Sequence, residues 1–67
     1  KNTRDKILGY CELLSLKQQS KEIKLPVTIA EMANYLCVNR SAMTREIKKL
    51  KDENIIDINR KTVKLKN

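Results

Sequence analysis

In the stretch CVNRSAMTREIKKL, residues 37–50, two arginines, a serine, a threonine and a lysine recur at spacings suited to a polyanion. On a helix turning about 100° per residue, Arg40, Thr44, Lys48, Ser41 and Arg45 fall within one arc of roughly 140°. An arginine presents two N–H donors that match the O6 and N7 acceptors of a guanine edge. Serine and threonine hydroxyls bond to several base edges, a threonine methyl can rest on a thymine methyl, and lysine neutralises phosphate. An arc of that width suits the major groove of double-stranded DNA, which admits one α-helix. The plain alternative is a solvated face that happens to be basic. Against it, Met43, Ile47 and Leu50 form a clean apolar stripe on the opposite side. The helix thus has one face for a core and one for a partner.

Such a face must be braced to protrude. The preceding stretch TIAEMANYL supplies the brace. Thr28 and Glu31 form a T-x-x-E capping box, and Ile29, Met32, Ala33 and Leu36 recur at helical spacing. Ala33 is small where two helices must approach, and Val38 is apolar inside the turn CVN. Asn39 is a good N-cap for a helix over 40–53, which Asn54 closes by tolerating the left-handed conformation. Glu46 sits at the edge of the apolar stripe, where it can pair with Lys49 or reach another helix, and the sequence does not decide between them.

The spacing also predicts an earlier helix in TRDKILGYCELLSLKQ, capped by Asn2 or Thr3. Its stripe is Ile7, Tyr10, Cys11 and Leu14, widened by Leu8 and Leu13. Gly9 weakens it by about 1 kcal/mol relative to Ala, which suggests a close approach there. KQQSKEIK reads as a loop. KLPV reads as a short extended piece, because a residue before proline is pushed out of the helical region. NIIDIN and TVKLK alternate around RK, predicting two strands and a tight basic turn over 59–62. Arg60 and Lys61 at its tip are expected to meet phosphate. The expected fold is therefore mainly α with a small β-hairpin, a winged helix–turn–helix of three helices and a two- or three-stranded antiparallel wing.

Sixty-seven residues make one domain, 1–67, near the lower limit for a self-supporting core. Its first residue is Lys1 rather than Met, so a fragment of a longer protein is expected. No stretch nears the roughly 20 apolar residues of a membrane span, and the polar N-terminus shows no signal peptide, so the expected location is cytoplasmic. Lys and Arg number 15 against 8 acids, for a net charge of +7. Residues 1–39 hold six bases and four acids, a net of +2, while residues 40–67 hold nine and four, a net of +5. Nucleic acid is the commonest partner of such a surface. The two cysteines and the absence of histidine exclude a structural zinc site within the chain, and the thiols read as reduced, with Cys11 in the core. No cofactor or metal is expected in this domain.

Catalysis is not expected, because no nucleophile-with-base or nucleotide loop is present and 67 residues enclose a pocket poorly. A winged-helix protein-interaction module should carry an aromatic or aliphatic anchor on the exposed face, which this face lacks. A nonspecific nucleic-acid binder or RNA reader commonly shows stacking aromatics, and the only aromatics here, Tyr10 and Tyr35, lie elsewhere.

From about Thr3 to Lys66 the chain resembles the C-terminal winged-helix domain of bacterial transcription regulators of the cyclic-AMP receptor protein and FNR type (CRP/FNR). The resemblance rests on RDKILGYC as a leading helix, on LPVTIAEMANYLCVNRSAMTREIKKLKDENII as the reading unit, and on the closing hairpin. It implies sequence-specific binding to double-stranded DNA, with base contacts at Arg40, Ser41 and Arg45 and with Thr44 among them. It also implies phosphate contact at Thr28, while Asn39 and Lys48 are expected to join Arg60 and Lys61 in holding phosphate. Regulators of this type are dimers on near-palindromic operators, so a homodimer is expected of the full-length protein; contact with RNA polymerase is compatible with this. The chain departs from the family pattern at three places. Cys37 stands where the turn has Gly, Ser41 where many members have Glu, and Asn54 where Gly closes the helix. A hydroxyl at 41 discriminates less sharply than a carboxylate accepting from cytosine N4, so a different operator base is expected there.

Overall fold

The computed structural model describes residues 2–66. Its elements run α1 (Thr3–Gln18), β1 (Glu22–Lys24), α2 (Ile29–Leu36), α3 (Arg40–Asp52), β2 (Ile56–Asn59) and β3 (Thr62–Leu65). The strands form one antiparallel sheet in the order β1-β3-β2. This is the winged helix–turn–helix that the sequence predicts.

Each helix begins where a side chain can accept an otherwise unpaired N–H. Asn2 accepts from Asp5 N at 2.8 Å. Thr28 Oγ1 accepts from Glu31 N at 3.1 Å while Thr28 N donates to Glu31 Oε1 at 2.8 Å, the reciprocal capping box. Asn39 Oδ1 accepts from Ser41 N at 2.8 Å and Ala42 N at 3.3 Å. The helix ends are closed by left-handed residues that are not glycine: Gln19, Cys37 and Asn54, at φ 52°, 58° and 64°. After α3, Ile55 N donates to Leu50 O and Asn54 N to Lys51 O, so the last carbonyls are satisfied within the turn. The helix stops at Asp52, one residue short of the expected end.

The core joins Ile7, Cys11 and Leu14 of α1 to Met32 and Ala33 of α2 and to Met43, Ile47 and Leu50 of α3. Ile23, Leu25, Ile56 and Val63 close it from the sheet side. Val38 packs against it from within the turn, holding α2 and α3 at their angle.

Three expectations are corrected. Leu13 does not widen the α1 stripe: it is 47% exposed, and Leu16 beside it is 77% exposed. The strand β1 falls at Glu22–Lys24, inside the expected loop, and not in KLPV. Ile23 is buried opposite Val63, and Leu25 N adds one more bond to Lys61 O at 2.7 Å before Pro26 ends the pairing. Gln18 also holds the strand, donating from Nε2 to Lys24 O at 2.8 Å and accepting at Oε1 from Lys24 N at 2.9 Å. Finally, nothing lies within 4 Å of where a Cβ on Gly9 would stand, so no close approach accounts for that glycine.

Candidate nucleic-acid interface

Burial of Met43, Ile47 and Leu50 turns the other side of α3 outward, and Arg40, Ser41, Thr44, Arg45 and Lys48 are all exposed. Between Arg40 and Lys51 the one acid is Glu46, and it points away from this face toward α1. The face is therefore cationic along its length. Its N-terminal end adds the positive pole of the helix dipole.

The wing reaches the same region. Arg40 and Thr44 of α3, Ile29 of α2, Ile58 of β2 and Arg60 of the β2–β3 turn line one cleft of about 340 Å³, with Ile47 at its back. Lys61 lies near enough to the start of α2 to help hold the Glu31 carboxyl below its ordinary range, after the larger effect of the Thr28 hydrogen bonds. Arg40, Thr44 and Arg60 thus meet at the cleft and Thr28 and Lys61 meet at Glu31, whereas Ser41, Arg45 and Lys48 stand out along α3 without lining the cleft. Ile29, already marked by the α2 stripe, and Ile58 add apolar lining to the cleft.

Local hydrogen bonds limit what each group can offer. Thr44 Oγ1 donates to Arg40 O at 3.0 Å, which leaves its lone pairs and its methyl for an outward contact. Asn39 has its oxygen engaged as the cap, so its Nδ2 is the atom able to donate outward. In the capping box, Thr28 N and Glu31 N are already satisfied, and Glu31 brings a carboxylate beside any anion held there. A phosphate at this helix end would rely on the Thr28 hydroxyl proton and on Lys61. Arg60 adopts φ 58° at the wing tip, a conformation costly for a residue with a Cβ.

The pattern of the Crp-like helix-turn-helix domain matches residues 11–67, most of the chain. The chain belongs to that family. As a Crp-like helix-turn-helix domain it is a DNA-binding domain of the transcription-regulator kind. No curated protein matches the sequence closely enough to serve as a relative. Among the described residues, no helix is long and apolar enough to cross a membrane.

Sequence reasoning left Glu46 undecided and did not find its partner. Arg4 Nε donates to Glu46 Oε2 at 2.7 Å, and Arg4 also grips Glu53. The pair is 42 residues apart in the chain, so no local periodicity could signal it. A larger recess of about 450 Å³ lies elsewhere, among Leu8, Leu16, Ile55, Ile56 and Leu65, and none of the reading residues borders it.

Proposed function

We propose that this Crp-like domain binds double-stranded DNA sequence-specifically by laying α3 in the major groove, as part of a bacterial transcription regulator. Arg40 and Arg45 make the base contacts, with Ser41 and Thr44 reading beside them. Thr28, Asn39, Lys48, Arg60 and Lys61 hold phosphate, the last two as the wing. The observation that carries this reading is the convergence of the exposed α3 face with the wing turn at one cleft, Arg40 and Arg60 sharing its walls. A helix face basic only for solvation would have no reason to be joined there by a cationic hairpin held in a costly conformation. In the full-length protein a homodimer places two such helices in successive grooves of a near-palindromic operator.

In vitro selection on random duplex DNA, with the domain fused to a dimerising coiled coil, tests this directly. The expected product is a palindrome whose half-sites lie about one helical turn apart. At the base pair facing Ser41 the preference should differ from the cytosine partner a glutamate selects. Binding without enrichment, fading uniformly as salt rises, would instead favour a nonspecific nucleic-acid binder.

A further inference from the structure

Arg4, in the first turn of α1, makes two contacts with α3 that hydrophobic packing does not require. Its Nε donates to Glu46 Oε2 at 2.7 Å. Its Nη1 and Nη2 donate to the two oxygens of Glu53 at 3.0 and 2.6 Å, a forked pairing. Glu46 and Glu53, the latter the residue that caps α3, lie two helical turns apart, about 10 Å along the axis, so one guanidinium draws together side chains from the middle and the C-terminal end of the reading helix. The Glu46 side chain is only 18% exposed and that of Arg4 30%, so the Glu46 arm is partly shielded from water. Arg4 also lies outside residues 11–67, the span that matches the family.

The apolar stripe of α3 cannot by itself fix the helix in place, because hydrophobic burial is non-directional. A roll of about 10° costs little buried area, yet it moves the tip of a long side chain by roughly 1 Å. Hydrogen bonds to base edges do not tolerate that displacement. Directional bonds from a rigid fork resist it.

We propose that Arg4 is a positioning residue for sequence readout, holding Glu46 and Glu53 so that α3 keeps the roll at which Arg40 and Arg45 meet base edges. The same grip neutralises two carboxylates on the helix that approaches phosphate. Glu53 accordingly has its carboxyl held below the usual range, first by the Arg4 hydrogen bond. This inference rests on the sequence-specific reading proposed above.

The test compares the chain with its R4A, R4K, E46Q/E53Q and R4A/E46Q/E53Q variants. Fluorescence anisotropy gives the affinity ratio between a selected half-site duplex and a scrambled one, and thermal melting gives stability. In parallel, residual dipolar couplings give the orientation of α3 relative to α1, its roll about its own axis included. R4A should lower the affinity ratio about tenfold while changing scrambled-duplex affinity less than about twofold. R4K should fail to restore the ratio, since an ammonium cannot fork. Adding R4A to E46Q/E53Q should change the ratio little, because the residues act together. An R4A ratio equal to wild type, with only the melting temperature lowered, would mean a merely structural ion pair. Full rescue by R4K would reject the fork, and a further loss in the triple variant would place Arg4 on DNA instead. An unchanged α3 orientation in R4A, roll included, overturns the positioning role even if the wild-type chain binds every duplex alike, a result that would separately refute specific readout. Should R4A fail to fold, R4K carries the same comparison.

Discussion

Arg45 and Lys61 carry the same charge but different geometry, and DNA should distinguish them. Arg45 stands exposed on the α3 face, where its planar fork can match one base pair. Lys61 stands at the wing tip beside the start of α2, where its ammonium is proposed to meet phosphate. Arg45→Ala should therefore lose about 1–3 kcal/mol of discrimination between operator and altered duplexes. Lys61→Ala should weaken all duplexes similarly and lower the salt slope by about one. Titrations of both variants at several salt concentrations check this, and equal losses of discrimination would contradict the assignment. Thr44 is subtler: its hydroxyl proton is committed to Arg40 O, so an outward role falls to its methyl or to acceptor lone pairs.

At the scale of elements, the chain places its one glycine where it weakens a helix and puts larger residues where glycine would relieve strain. Gly9 sits exposed inside α1 with open space around it, while Gln19, Cys37, Asn54 and Arg60 take positive φ. Gly9→Ala should raise stability by about 0.5–1 kcal/mol, a few degrees in melting temperature for a domain this small. Arg60→Gly should also stabilise the fold, by about 1 kcal/mol, yet weaken DNA binding as a wing charge disappears. Thermal melts beside binding titrations would show the two effects diverging, and an Arg60→Gly variant that gains both would remove the reason given for strain at the wing. The parts legible in the sequence were those written locally. The capping box of Thr28 and Glu31, the Asn39 cap, the stripe of Met43, Ile47 and Leu50, and the alternation around Arg60 and Lys61 each declare themselves within a few residues. Strand β1 did not, because three residues are too few to show alternation and its pairing partner β3 lies some 40 residues on. Leu13 misled because an apolar residue on a helix is buried only where a neighbouring element covers it. The Arg4 grip on Glu46 and Glu53 was invisible for the same reason as β1: tertiary packing makes it.

For the whole molecule, charge and small size together predict how stability depends on pH. A domain of 67 residues has little stability to spare, and its net charge of +7 already works against compactness. On the acid side, Glu31 and Glu53 both have carboxyls held below the ordinary 4.5, by Thr28 hydrogen bonds and by Arg4 respectively. Their contribution is present above the unfolded value and is lost as pH falls through the lower folded values. On the alkaline side, burial pushes the Cys11 thiol from 9.0 up to about 11. Below 9 the thiol is neutral in both states and contributes nothing to the pH dependence. Between 9 and 11 the unfolded chain ionises first, so folding loses up to roughly 3 kcal/mol. Melting temperature should thus hold level between about pH 5 and 9 and fall on both flanks. The flanks have separate causes and should come apart by mutation. Arg4→Ala should make the acid decline shallower, because Glu53 then titrates near its unfolded value. Cys11→Ala should lower the plateau by opening a small cavity, yet flatten the decline between pH 9 and 11. Circular dichroism melts across that range decide the matter, and an alkaline decline that survives Cys11→Ala undiminished would shift the cause to Tyr10, whose phenol burial also pushes up.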